Sequence, residues 1–496
     1  MSDYLHGAYG QIQSVGARVA SASQSAIVYV GTAPVHTVEG GAKNVNVPIA
    51  VSNIAEAKRY FGYDDDWAKY TLCEAMHVHL EQKAVGPLVF INVLDPATHV
   101  SSTQGSASKT PENGRVILTN ADSIVLDSVV VKTSGQSPTT YVKGTDYNIA
   151  YDSDKKIITI QEITAGGLGT AALAITWTAI DASAVTAADV IGSDDGLGLK
   201  KGLYAVANVY QLTGYVPAYL AAPGFSSITA VHNAMYQNSK KISGHWDAYM
   251  FVDLPLLNGA TPLTMDTVAA YKTSNGYNKE NETVYFPLAA GTDGKTYHLS
   301  VLAAANFQEL LLDQDGIPYK TASNTECGII ENLYMGEANV GRIYDDELIN
   351  KKLNKNGIAS AVYAGGRWVI WGAHSADYDQ SNADQINVAE TNRMMLYYLS
   401  NDFQRRRPPN VDKPMSANGL RSIAAEEQAR IDALVKVGAL IYGEVRVNAS
   451  AEEQSDIMQG DYSFTFDVTT TPLAKSLTAI VNWTDEGFVT YFENIG

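Results

Sequence analysis

Two cysteines in 496 residues, Cys73 and Cys327, are too few and too far apart for a disulfide framework or a zinc-ligand set. Basic residues are also scarce. Lys and Arg number 35 against 53 Asp and Glu, a formal net charge of −18 and a pI near 4.9. That balance repels phosphate backbones and argues against nucleic acid as a partner, while favouring solubility or contact with a basic surface. No apolar run approaches the ~20 residues that span a bilayer. The opening "MSDYLHGAYG" has neither the basic n-region nor the apolar h-region of a secretory signal. No G-x-S-x-G occurs, so no nucleophile elbow is announced. These absences predict a protein folded in a cytoplasm, without membrane insertion.

What is present is ordinary globular material. Apolar residues make up 46% of the chain. At this length a single core is too small to hold everything, so several domains are expected. Residues 1–22, rich in Gly, Ala and Ser, read as an N-terminal arm. From 23 to 100 the chain alternates strand and helix. "SAIVYVGTA" (25–33) and "GPLVFINVLD" (86–95) are strands, while "NIAEAKRYFGY" (53–63) and "WAKYTLCEAMHVHLEQK" (67–83) are helices. Residues 101–185 are dense in Val, Ile, Thr and Tyr with turn chemistry between, which predicts an inserted all-β sandwich or barrel.

The α/β texture returns over 186–380. "AYLAAPG" (218–224), "SSITAVHNAMYQNSKK" (226–241, capped by Ser226 or Ser227) and "WDAYMFVDLP" (246–255) form one β-α-β unit of a largely parallel sheet. Residues 381–485 read as two helices followed by strands, an α+β domain. Its helical spacing shows in Val388, Asn392, Met395, Leu396 and Leu399, and again in Leu420, Ile423, Ile431, Leu434 and Val435, with Gly438 as C-cap. "SLTAIVNWT" reads as a strand of that domain, and residues 486–496 as a C-terminal arm strand.

The stretch Ala289–Thr296 resembles a phosphate-binding loop, which makes nucleotide hydrolysis through Gly294-Lys295-Thr296 a hypothesis. A working loop runs directly into a helix at Lys-Thr. Here "TYHLS" intervenes and Ser300 looks like the helix N-cap, so the bland reading is a turn. His77 and His79, two apart on a helix, face different ways and share no metal. "DDD" (64–66) reads as a solvated turn, and "DQDG" (313–316) lacks the acid that completes a calcium loop. "RRRPP" (405–409) reads either as a helix C-terminus satisfying carbonyls or as a docking patch for an acidic partner. No catalytic, cofactor or metal constellation emerges.

Three stretches, with a further N-terminal block, carry a family resemblance. "SVLAAANFQELLLDQDGIPYKTASN" (300–324) resembles a block of contractile tail sheath proteins, with Tyr319-Lys320-Thr321-Ala322-Ser323-Asn324 where the family has aromatic-Lys-Ala-Pro-Ala-Asn. "LNKNGIASAVYAGGRWVIWGAHS" (353–375) is closer, with Leu353, Asn354, Gly357, Ile358, Gly366, Arg367, Trp371 and Gly372 at the motif positions. "INVAETNRMMLYYLSNDF" follows where the family places a Val-Asn-Val-x-Arg helix, with Glu390 in place of that Arg. "YFGYDDDWAKYTLCEAMHVHLEQKAVGPLVFINVL" resembles the family's N-terminal block.

The resemblance implies a non-enzymatic structural subunit without cofactors, whose 186–380 region is subtilisin-like without peptidase activity. It implies stacked sixfold rings around a tail tube, in a phage tail or R-type bacteriocin particle assembled in a bacterial cytoplasm. Contraction from a metastable extended state would drive the tube through a cell envelope. Partners would be other copies, the tube protein, and baseplate and terminator proteins. The terminal arms (Tyr4, Leu5, Tyr9, Ile12; Phe488, Val489, Tyr491, Phe492) would add strands to neighbours' sheets. The C-terminal domain would face the tube through Arg405, Arg406, Arg407, Glu426, Glu427 and Arg430, and the β insert would sit outermost. The rivals are the nucleotide hydrolase and another self-assembling shell or surface-layer protein.

Overall fold

Ser25–Gly31 (β1), Ile49–Val51 (β2) and Leu88–Asn92 (β3) come from the first apolar runs; β1 and β3 are buried almost throughout, as strands covered on both faces must be. The computed structural model describes residues 25–337, 342–379, 381, 385–448, 454–488, 491 and 494. Between β2 and β3 lie helices Ile54–Phe61 (α1) and Thr71–Ala75 (α2). Asn53 caps α1 by accepting the amide of Glu56 at 2.9 Å. The second helix begins at 71 rather than 67, because the amides of Lys69 and Tyr70 first turn back onto the carbonyl of Asp66. It then widens into π-turns over Met76–Gln82.

The insert supplies Gly105–Lys109 (β4), Arg115–Thr119 (β5), Val130–Thr133 (β6), Tyr147–Asp152 (β7), Ile157–Glu162 (β8) and Leu173–Trp177 (β9). They form two three-stranded antiparallel sheets, β4-β9-β6 and β5-β8-β7, around their own apolar core of Val116, Leu118, Val131, Ile158, Ile160 and Ile175. The entering and leaving strands run side by side, with Val100 opposite Ile180 and Ser101 N donating to Ala179 O at 2.8 Å. His36 Nε2 donates to the carbonyl of Asp122 (2.7 Å) and Lys156 pairs with Asp64 (2.9 Å), tying the insert to the α/β layer.

The α/β chain resumes with Ala187–Ile191 (α3), Val209–Thr213 (α4), Val216–Ala221 (β10), Thr229–Asn238 (α5) and Tyr249–Asp253 (β11). A small hairpin, Leu257–Asn258 (β12) and Thr261–Pro262 (β13), precedes Val268–Ser274 (α6) and Glu282–Tyr285 (β14). Leu288–Gly291 (β15), Thr296–Tyr297 (β16), Leu299–Asp313 (α7) and Ile330–Tyr334 (β17) follow. Asp346–Lys352 (α8), Ile358–Ala364 (β18), Arg367–Trp371 (β19) and Glu390–Arg406 (α9) complete this unit. One eight-stranded sheet runs β19-β18-β14-β11-β10-β1-β3-β2. Its interior pairings are all parallel, and only the edge strands β2 and β19 run antiparallel. The fold is thus mixed α/β with several sheets.

Two expected caps are replaced by tertiary ones. Ser226 does not cap α5, which starts at Thr229; its Oγ accepts the amide of Asp253 instead (3.1 Å). Ser300 is not the N-cap of α7, which starts one residue earlier. Its amide and hydroxyl both donate to the carboxylate of Asp253, so the end of β11 caps the helix across the fold. In each case a long-range hydrogen bond captures a serine that local sequence assigns to its own helix.

Contact density divides the chain into Met1–Pro414 and Met415–Gly496. Helix α9, assigned from sequence to the C-terminal domain, therefore lies in the first unit. Asn401 exchanges two hydrogen bonds with the backbone of Asp247 (2.8 and 3.1 Å), and Met394 and Met395 are buried. The second unit holds Ala417–Lys436 (α10), Leu440–Val447 (β20), Gln454–Gln459 (α11) and Phe464–Thr470 (β21). Ser416 caps α10, and Gly438, at φ +80°, closes it while Ala439 N donates to Leu434 O (3.0 Å). Ile431 packs so closely on β20 that a Cβ at Gly443 would lie 2.1 Å from its Cγ2.

The segment "SLTAIVNWT" is not a strand. Residues 472–484 have no helix or strand, and Leu477 (92% exposed), Ile480, Val481 and Trp483 (81%) stand in solvent. Of the expected C-terminal arm strand, residues 489, 490, 492, 493, 495 and 496 lie outside the described residues. Gly487, Phe488 and Tyr491 are helical, with Phe488 N donating to Asp485 O (2.9 Å). A lone strand leaves its backbone groups unpaired, and a local turn satisfies some of them.

Candidate subunit interface

The phosphate-loop-like stretch is a hairpin turn. Residues 292–295 connect antiparallel β15 and β16, with Gly291 N donating to Lys295 O (2.8 Å) and Gly294 at φ +79°. The backbone amides at 291 and 294 are spent inside the turn, and no helix starts at Lys295. Lys295 is committed elsewhere. Its Nζ pairs with Asp65 (3.1 Å) and lies 4.3 Å from the ring centroid of Trp67. His77 and His79 likewise separate. His77 bonds Glu81, whereas buried His79 bonds Tyr29 and Gln308, and burial lowers it to about 4. Among the described residues no group of three potential ligands could hold a metal.

The three family-like stretches converge on one corner of the sheet. Asn354 Nδ2 donates to Ile358 O (2.9 Å) and Trp371 O (3.1 Å), clipping the start of β18 to the end of β19. Leu353 and Ile358 are buried beneath it. Gly357 takes φ +64°, and Gly365 and Gly366 take +62° and +84° in the two-residue loop between β18 and β19. Trp371 donates from Nε1 to Asn350 (2.8 Å), and Arg367 pairs with Glu326 (3.4 Å). Gly372 N donates to Ser323 Oγ (3.0 Å), joining the 300–324 stretch to the motif.

Residues 324–327 line the outer flank of β19, through Asn324 N to Ile370 O (2.7 Å) and Cys327 N to Trp368 O (2.9 Å), so this sheet edge is covered. Glu390, at the start of α9, accepts from Thr283 and Thr321 (2.6 Å each), and its amide donates to Ala373 O (2.8 Å). Burial pushes its carboxyl above the usual range. Sequence reading flagged Glu390 only as a departure from a pattern; a carboxylate at a helix start beside apolar neighbours is the signal that a buried acceptor role was possible.

A second buried polar group lies where β11 ends. Glu74 accepts both the amide and Nδ1 of His298 (2.6 Å each). Burial opposes charge on His298, but the Glu74 carboxylate outweighs it and raises the imidazole to about 9. Asp253 is engaged in capping α7, so these groups serve as structure.

The second unit has a different character. Among the described residues strands β20 and β21 form a two-stranded sheet, and Gln428 of α10 bonds the backbone of β20, accepting Val445 N (2.8 Å) and donating to Gly443 O (3.1 Å). The apolar segment 472–484 follows in the same unit, outside helix and strand. Sequence reading missed this: the apolar pattern of "SLTAIVNWT" is visible, but not whether its partner is in its own chain.

Of the proposed arm residues, Phe488 and Tyr491 are exposed, and Tyr4, Leu5, Tyr9, Ile12, Val489 and Phe492 lie outside the described residues. Arg405 and Arg406 both bond Asp402 (2.9 Å each) in the last turn of α9, and Arg407 lies over Phe403. Glu426 and Arg430 are exposed on α10, but Glu427 is 1% exposed and offers no carboxylate to an outside surface. Its position on the Ile423–Ile431–Leu434 face explains this.

No family model matches the chain. A tail sheath protein of Burkholderia phage BcepMu is 29% identical over 259 residues, 51% of this chain and 50% of the relative. The chain therefore spans about half the length of the curated relative it matches. Among solved structures, the contracted helical sheath of the anti-feeding prophage (AFP) aligns over 98% of this chain and all of its own, with 13% identity and TM-score 0.53. The contracted sheath complex of an extracellular contractile injection system, PVC, aligns over 98% of each chain, with 11% identity and TM-score 0.52. This chain thus resembles contractile tail sheath proteins, in sequence over half its length and in fold over nearly all of it.

Proposed function

We propose that this chain is a non-enzymatic structural subunit of a contractile tail sheath. It polymerises as stacked sixfold rings around a tube and contracts from a metastable extended state, in a phage tail or related injection particle. The observation that carries the reading is the exposed apolar segment of the second unit, where Leu477, Ile480, Val481 and Trp483 stand in solvent outside any described helix or strand. Strand addition between copies pairs this segment and buries Leu477, Ile480, Val481 and Trp483. Such a contact is heterologous, so it propagates into an open helical lattice rather than closing a dimer.

The arrangement of the first unit supports the same reading. Ser25 and the Asn401 end of α9 lie at the amino edge of the parallel sheet, Asn401 being bonded to Asp247 just before β11. The insert leaves from the opposite edge, after β3. This separation of the insert from the amino ends of the strands supports an outward-facing insert. The parallel sheet with helices on either side is compatible with a subtilisin-like core for 186–380. The tube, baseplate and terminator proteins are the expected partners, and a bacterial cytoplasm is the expected site of assembly. Exposed Arg430 and the Arg405–Arg407 turn are the candidates for an acidic tube surface.

Truncation before residue 472 tests the strand-addition step. It should leave the fold of 25–414 intact, by circular dichroism and melting, and abolish polymerisation. Polymers formed normally by the truncated chain would contradict strand addition by this segment.

A further inference from the structure

The connection from α3 to the buried stretch Gly202–Asn208 is a small rigid hairpin with leucine at its tip. Its base is pinched. Gly192 and Gly202 take φ +72° and +56°, and a Cβ on either would strike backbone carbonyl oxygen at 1.9 or 2.4 Å. Above the base, Lys201 N donates to Ser193 O (2.9 Å) and Asp195 N to Leu199 O (3.2 Å), while Lys200 pairs with Asp194. The Asp195 carboxylate then accepts the amides of Leu197 (2.7 Å) and Leu199 (3.0 Å). Leu197 is 93% exposed and Leu199 60%. The loop's own polar groups are satisfied, and its anchored base gives these side chains no route into the core below. A leucine held rigidly in water is preorganised for contact, because little ordering cost remains to be met on binding.

We propose that this hairpin is a docking finger whose occupant is a second copy of this chain. Two leucine side chains cover far less than the ~1,200 Å² at the low end of a specific pairwise interface. A freely diffusing partner would not be held by so small an anchor. In a repeating array each copy is already held by other contacts, and a small apolar knob then acts at high effective concentration. The inference rests on the proposed polymer and extends it to a contact outside the strand-adding unit.

The test uses the full chain. Cys73 and Cys327 are both buried, so Leu197→Cys introduces an exposed thiol for an environment-sensitive maleimide dye. On polymerisation the dye emission should shift to the blue. In parallel, Leu197→Asp with Leu199→Ser should raise the critical concentration for assembly at least about tenfold, with the melting temperature little changed because both side chains are largely exposed. Unshifted emission together with an unchanged critical concentration, in a wild-type chain that does assemble, would overturn the finger and leave the sheath reading standing. A variant that assembles alone but no longer around the tube protein would overturn the second-copy occupant in favour of the tube. A wild-type chain that never assembles would overturn the sheath reading, and the finger with it.

Discussion

The side-chain amide of Asn354 fills the space that a Cβ on Gly372 would take, an ideal Cβ lying 2.6 Å from its Nδ2. Gly372 also takes φ +122°, which L side chains rarely adopt. One residue clips two strand ends, and the other is bare because the clip passes over it. Gly372→Ala should therefore destabilise by about 2 kcal/mol or more. Asn354→Ala strips the donor from Ile358 O and Trp371 O and should cost about 1–3 kcal/mol. The double variant should cost less than the sum, since removing the amide clears the clash while the backbone strain stays. Denaturant melts of the four chains read this, and strict additivity would contradict the proposed contact.

Lys295→Ala tests the turn against the phosphate loop. The ion pair with Asp65 is solvent-screened, that carboxylate being 67% exposed, so the loss should stay below about 1 kcal/mol, including the contact over Trp67. Nucleotide turnover should be absent in both wild type and variant. Turnover that disappears with Lys295 would restore the hydrolase.

The His298–Glu74 pair predicts a pH dependence with a defined sign. The imidazole is raised from 6.5 to about 9 in the folded chain. Its stabilising contribution is therefore fully present below pH 6.5 and is lost as pH rises through about 9. Lys272, lowered by burial to about 8, contributes the opposite slope at higher pH, so the comparison must be with His298→Asn. Stability measured from pH 6 to 9 should fall more steeply in wild type than in the variant. Parallel curves would remove the pair as a titrating element.

Excision of residues 103–177 with a short linker should preserve the sheet and polymerisation, because the two ends already pair at Val100 and Ile180. The insert keeps its own apolar core, so the α/β layer loses mainly the His36 and Lys156 ties. Loss of soluble folded protein would show that the layer depends on the insert.

The sequence made the α/β layer legible wherever a strand is a continuous apolar run, as in "SAIVYVG" and "YMFVD", since burial on both faces leaves little choice of residue. The insert was legible from its alternation. Local capping was not. Ser226 and Ser300 sit where helix caps belong, yet Asp253, from a distant strand, donates its amide to Ser226 Oγ and accepts the amide and hydroxyl of Ser300 on its carboxylate. Nor was pairing legible at the C-terminus: "SLTAIVNWT" has a strand's composition, but composition does not name the chain that supplies its partner. Glu427 carries the charge of a surface residue, yet helical geometry turns it inward beside Ile423 and Ile431.

Negative-stain electron microscopy of the purified chain, alone and with its tube protein, tests the central claim most directly. The account predicts tubes with sixfold end views and a wide lumen, with the contracted form dominating when the chain assembles alone. Small monodisperse particles under both conditions would contradict it.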